Sequence, residues 1–176
     1  LLSQTAYTKY PGNPYYTGSG IGLILNKKWE LNYDGRISLN DSRNTTNNNS
    51  SISKISTAQI ITDNLATIKN DNLSFTINQG INTKYKIDSL GSEWTTDISY
   101  TFSKTNSDQL FTTNFYVPVP AIIGGDGDIK NTRDNFAAQT DLKWKLNKKI
   151  TVETGLKSSI LQFNSSTDYF TVAGSS

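Results

Sequence analysis

The sequence predicts an all-β fold, an antiparallel up-and-down meander of about six long strands that is part of a transmembrane β-barrel. Three observations carry that reading. Apolar and polar residues alternate over stretches longer than soluble strands usually sustain. Short polar turns and long Asn/Ser/Thr-rich connections take turns along the chain. All three tryptophans sit within three residues of a short turn.

Composition points the same way. Only 35% of the 176 residues are hydrophobic and mean hydropathy is -0.49, yet 11% are aromatic, which separates the chain from disordered sequences. A sheet with one apolar and one polar face fits both figures. There is no Cys and no His, so disulfides, thiolate nucleophiles, zinc ligands and the usual neutral-pH base are excluded. The 17 basic residues are scattered over a chain of net charge +2, so no nucleic-acid partner is expected. No apolar run reaches transmembrane-helix length. The opening Leu1-Leu2-Ser3-Gln4-Thr5 is no signal peptide, and the chain lacks any Met, so it is expected to be a piece of a longer one.

Taken in order, residues 1–15 carry Tyr7, Tyr10, Pro11, Pro14 and Tyr15 without a period and read as a loop. A first strand is expected over about 17–26, through Ile21, Leu23 and Leu25, ending in the turn Asn26-Lys27-Lys28. The second, 28–40, is the clearest: Trp29, Leu31, Tyr33, Ile37 and Leu39 oppose Glu30, Asn32, Asp34, Arg36, Ser38 and Asn40. At about 3.3 Å per residue and a tilt near 45°, Trp29 to Leu39 covers roughly 23 Å, close to the apolar band of an outer-membrane barrel.

Residues 41–71 are predicted as a long loop. A third strand follows at 72–87, with Leu73, Phe75, Ile77, Ile81, Tyr85 and Ile87 on one face and Gln79 as a polar intruder. After the turn Asp88-Ser89-Leu90-Gly91, a fourth strand over 92–104 carries Trp94, Ile98, Tyr100 and Phe102. It loses phase near residues 107–109, where a bulge or bend is expected, and resumes over 109–117. Pro118-Val119-Pro120 and Gly124-Gly125-Asp126-Gly127-Asp128 mark a second long loop. The fifth strand, 135–146, leads through a second Asn147-Lys148-Lys149 turn into a sixth at 149–163, and 164–176 is predicted to begin a third loop. The short turns at Asn26, Asp88 and Asn147 are 62 and 59 residues apart, which suggests one hairpin unit used three times.

That alternation assigns sides. Short turns belong to the periplasm and long loops to the exterior, in the outer membrane of a Gram-negative cell. Trp29, Tyr85, Trp94 and Trp144 are the expected lipid-interface aromatics. A soluble β-sandwich binding module is the alternative, but it gives the tryptophans no reason to collect at one end.

The run Lys84-Tyr85-Lys86-Ile87-Asp88-Ser89-Leu90-Gly91-Ser92-Glu93 resembles the barrel region of TonB-dependent-receptor-like outer-membrane proteins. So do Gln109-Leu110-Phe111-Thr112-Thr113-Asn114-Phe115-Tyr116 and, above all, Asn131 to Leu142 with Thr154 to Ser159. The likeness covers about residues 18–165. It implies a 22-stranded barrel, a plug domain N-terminal to it, and uptake of a small ligand driven by an inner-membrane energy-coupling protein. A structural or secretion-associated barrel is the competing role. Six strands do not close a barrel, for which eight is the smallest usual number.

The candidate functional residues are the charges on the polar face, expected to line the lumen: Arg36, Lys84, Asp97, Asp141, Lys143 and Lys157, together with Glu30, Asp34, Lys86, Glu93, Lys145 and Glu153. Cross-strand pairing is the plainer role for them. Glu30 with Asp34, or Glu93 with Asp97, lie about 13 Å apart on one strand, too far for a glycosidase pair, and no enzyme activity is expected. The Gly124 to Asp128 stretch resembles a calcium loop only faintly, because an EF-hand needs Glu where Ala137 stands. No metal or cofactor is expected. Tyr7, Tyr10, Tyr15, Phe115 and Tyr116 are placed in outer loops, where they would meet a ligand or surface partner.

Overall fold

In the computed structural model, which describes residues 1–174 and side chains through Val172, the chain is one antiparallel sheet. Its strands are β1 (Leu2–Lys9), β2 (Gly12–Ile24), β3 (Trp29–Ser53), β4 (Ile60–Lys86), β5 (Glu93–Val117), β6 (Ala121–Lys145) and β7 (Thr151–Gly174). β1 and β2 both pair with β3, β1 against residues 45–52 and β2 against residues 30–42. They are one hairpin arm interrupted at Tyr10-Pro11, where the proline has no N–H to give and its carbonyl accepts from Arg43 N at 2.9 Å. Seven strands therefore make six arms, each paired to its sequence neighbour.

The repeated turn sequence folds into a repeated turn. Asn26 Oδ1 accepts from the N–H groups of Lys28 and Trp29 at 2.9 and 3.0 Å, and Asn147 Oδ1 accepts from Lys149 and Ile150 at 2.8 and 3.0 Å. Leu25 N–H donates to Trp29 O in one turn and Leu146 N–H to Ile150 O in the other. A short amide side chain that satisfies two main-chain donors is what fixes so tight a connection. The third turn uses different parts. Asp88 Oδ1 accepts from Leu90 N and Ser92 N, Gly91 takes φ 92°, and the buried Ser92 accepts through Oγ from Lys145 N, tying the turn to β6.

Where strands were expected they form, but the long loops do not. Residues 2–15 are strand apart from the break at Tyr10-Pro11. The expected loop 41–71 is instead the upper half of β3 and β4, joined by a tip at residues 54–59. The loop after Pro118 is β6 from Ala121 onward, and the described part of 164–176 continues β7. Each complete arm from β3 onward runs 24 to 27 residues, about 80 Å at 3.3 Å per residue. Nor does β5 bend near Ser107: its register with β4 is unbroken from Asn64 to Lys86. The shifts lie at Asp63/Asn64 and Ile52/Ser53, next to the tips.

The Gly-Asp stretch is strand too. Gly125 and Gly127 share one face of β6, opposite Phe111 and Tyr169 respectively, while Asp126 and Asp128 share the other. The Phe111 and Tyr169 rings meet edge to face at 6.5 Å, and a Cβ at either glycine would collide with one of them. The glycines make room for rings from both neighbouring strands. An extended β6 cannot wrap a cation as an EF-hand loop does.

No apolar side chain among the described residues is buried, and large ones stand exposed along both faces. The described strands form a single sheet, so no second layer supplies the core that the sandwich alternative requires.

Hydrogen bonds from the Ser92 hydroxyl first, then from main-chain N–H groups, hold the Asp88 carboxyl below the usual carboxylate range. Its contribution is thus complete above the ordinary value near 3.9 and lost as pH falls through the lowered one. Urea midpoints of the full-length barrel in micelles, followed by tryptophan fluorescence as the pH is lowered, should show that loss in the wild type. Asp88→Asn should flatten it.

Candidate functional site

Paired residues in an antiparallel ladder point to the same side, so the register assigns every side chain a face. On one lie Trp29, Tyr85, Trp94 and Leu142 in a single cross-strand row, with Trp144 and Val152 beside it. Ile37, Ile77 and Phe102 form another row farther along, and Ile81, Ile98 and Ala138 a third. The opposite face carries all six candidate residues, Arg36, Lys84, Asp97, Asp141, Lys143 and Lys157.

On the polar face, charges of opposite sign alternate from strand to strand next to the short turns. Glu30 (β3) binds Lys86 (β4) at 2.6 Å, Lys84 (β4) binds Glu93 (β5) at 2.6 Å, and Lys143 (β6) binds Glu153 (β7) at 3.6 Å. Glu93 stands directly opposite Lys143, which joins the pairs into one belt across five strands. These ions are partly solvated, so screening leaves each pair little net stabilisation, and the belt's effect lies in orienting side chains. Asp97 accepts from Asn82 Nδ2 at 2.6 Å, and Asp141 accepts from Gln139 Nε2 at 2.8 Å. Glu93, Thr95, Asp141, Lys143 and Glu153 border an open depression of about 430 Å³. Arg36 and Lys157 are outside the belt and make no ion pair among the described residues; Arg36 stands between Gly18 and Asn78, and Lys157 faces Gln139.

The apolar face holds a device that sequence reasoning missed. Trp29 Nε1 donates to Thr83 Oγ1 at 2.6 Å, and Thr83 Oγ1 in turn donates to Glu30 O at 3.1 Å. Trp94 Nε1 donates to Thr140 Oγ1 at 2.5 Å, and that hydroxyl donates to Thr95 O at 3.2 Å. Each threonine lies diagonally across the register from its tryptophan. An indole N–H held away from water needs a partner, and these hydroxyls supply it without leaving the sheet. The signal was present as a threonine at an otherwise apolar position in the strand beside each tryptophan. Tyr85 completes the row, its ring edge-to-face with Trp29 at 6.1 Å.

Beyond the apolar stretch that face becomes ionic. Arg43, Asp71, Asp108, Asp128 and Asp168 are consecutive partners across β3 to β7, and all are exposed. Only Arg43 and Asp71 form an ion pair, at 3.5 Å.

Tyr7 and Tyr15 fall in β1 and β2 and Phe115 and Tyr116 in β5, so only Tyr10 keeps the loop position expected of it.

Loss of the Thr83 hydroxyl tests the indole device. Thr83→Val should cost the full-length barrel about 1 to 2 kcal/mol in equilibrium unfolding, and much less in a Trp29→Phe background, a coupling of about 1 kcal/mol. Thr140→Val paired with Trp94→Phe should behave alike.

No curated protein matches the sequence. A family model described as an outer membrane protein beta-barrel family matches residues 85–176, which is just over half of the chain and takes in β5, β6 and β7. The strands before it share the same sheet, the same Asn-Lys-Lys turn and the same Trp-Thr pairing. The chain belongs to the outer membrane protein beta-barrel family.

Proposed function

We propose that this chain is a wall segment of an outer-membrane receptor of the TonB-dependent type, a non-enzymatic barrel that takes up a small ligand. The receptor type rests on the resemblance of residues 84–93, 109–116 and 131–159, and the barrel wall on the division of the sheet. One face, from Trp29 to Leu39 and its neighbours, is apolar over a bilayer-like height. The other is a continuous ionic and amide surface fit for a water-filled interior. In this reading the first face meets lipid, and Arg36, Lys84, Asp97, Asp141, Lys143 and Lys157 face the lumen, where an N-terminal plug domain and the ligand would meet them. The short turns lie in the periplasm and the long arms extend outside the cell. Six arms are fewer than any usual closed barrel, so further strands complete the wall.

The lipid and lumen assignment has a direct measurement. Ile98→Arg should destabilise the full-length barrel in lipid vesicles by about 2 to 4 kcal/mol, whereas Ser99→Arg, one residue along and on the other face, should cost little. Equal costs would overturn the assignment.

The transport part is tested by ligand uptake or growth on a limiting nutrient in cells that express the full-length barrel. Uptake that disappears when the inner-membrane energy-coupling protein is deleted supports the receptor reading. Uptake that persists makes the barrel a passive pore, and no barrel-dependent uptake makes it a structural or secretion-associated one.

A further inference from the structure

The two Asn-Lys-Lys turns hold a feature that the wall reading leaves unused. In each, the asparagine side chain locks the main chain, and the fixed turn presents a lysine pair, Lys27 with Lys28 and Lys148 with Lys149, all exposed. In each, a tryptophan of the apolar face stands within three residues, Trp29 after the first turn and Trp144 before the second. Lys28 Nζ donates to Ile87 O at 3.1 Å, in the neighbouring turn. The ammonium groups of Lys27, Lys148 and Lys149 have no partner among the described residues. The nearby carboxylates Glu30, Glu93 and Glu153 are taken by lysines of the polar face, and Asp88 is the only acid in the three turns. The far end of the apolar face has mixed charge, where Arg43 continues into a row of carboxylates, Asp71, Asp108, Asp128 and Asp168, with Lys69 and Lys130 next to it.

We propose that the short-turn rim is a phosphate-binding collar for anionic phospholipid, which rests on the lipid-embedded wall proposed above. The lysine pairs lie just past the indole row, the level at which lipid phosphates sit above the acyl chains. Ammonium groups there meet phosphate oxygens with little competition, and a rigid turn loses little entropy in presenting them. Clusters of lysines next to a membrane surface bind anionic headgroups by this attraction. The phospholipid leaflet of an outer membrane faces the periplasm, the side to which the short turns are assigned.

The test uses the full-length barrel, purified in mild detergent, mixed with equal phosphatidylglycerol and phosphatidylcholine, and washed; retained lipid is measured by mass spectrometry. Wild type should retain phosphatidylglycerol in preference. Lys27→Gln, Lys148→Gln and Lys149→Gln combined should lose most of that preference, about fivefold per lysine, and arginine at the same positions should keep it. Lys54→Gln, Lys69→Gln and Lys130→Gln combined, at the other end of the sheet, should leave it intact. An unchanged preference in the first variant, or none in the wild type, overturns the collar and leaves the wall reading standing. If the wild type holds neither lipid and fails to enter vesicles, both readings fall.

Discussion

The structure depends on main-chain pairing between neighbouring strands more than on any side-chain contact. A single sheet without a covering layer has no interior in which apolar groups can gather, and none of its apolar side chains is buried among the described residues. In water such a sheet would gain only about 1 kcal/mol net from each hydrogen bond. In hydrocarbon each unpaired N–H or C=O costs several kcal/mol, so the same ladder becomes the strongest constraint on the chain. The ladder is correspondingly complete: the arms run 24 to 27 residues from β3 onward, with register shifts only near the tips.

Given that ladder, the side chains divide the remaining work by face. The Glu30–Lys86, Lys84–Glu93 and Lys143–Glu153 pairs satisfy a polar surface that water also reaches. On the apolar surface, polar atoms beside the short turns find their partners within the sheet. Thr83 and Thr140 do this for Trp29 and Trp94, and they recur at equivalent places in successive hairpins. The repetition of turns at Asn26 and Asn147 is thus accompanied by a repetition of tryptophan satisfaction, and both follow from a wall built of equivalent units.

The half of the sheet next to the short turns was legible and the half beyond Asp41 was not. Alternation revealed Trp29 to Leu39, Leu73 to Tyr85 and Phe136 to Trp144 because one face there is apolar and the other polar. Past Asp41 both faces are polar, so Asn44-Thr45-Thr46-Asn47-Asn48-Asn49 has no reason to alternate and reads as loop, although its backbone pairs with Asn70 to Leu65 without a break. Gly124 to Asp128 misled for a related reason. Its glycines serve rings on β5 and β7, a contact that no local pattern contains. Of the candidate residues, sequence placed all six on one face. It did not tell that Lys84, Asp97 and Lys143 are engaged across strands, that Asp141 is held by Gln139 of its own strand, or that Arg36 and Lys157 make no ion pair among the described residues.

Where the apolar face ends can be read from charge. Counted from the row of Trp29, Tyr85, Trp94, Leu142 and Thr154, the first ionic residue of that face is Asp41 on β3, twelve residues along, Lys104 on β5, ten along, and Asp134 on β6, eight along; on β4 and β7 it is Asp71 and Asp168, each fourteen along. The row Asp71, Asp108, Asp128, Asp168 thus lies at or beyond the first ion on each of its strands. Neighbouring carboxylates about 5 Å apart repel by roughly 1 kcal/mol in water and by several times that at lower dielectric. Such a row is tolerable where solvent reaches it, and all four aspartates are exposed: the end of the apolar face coincides with a line at which carboxylates need water.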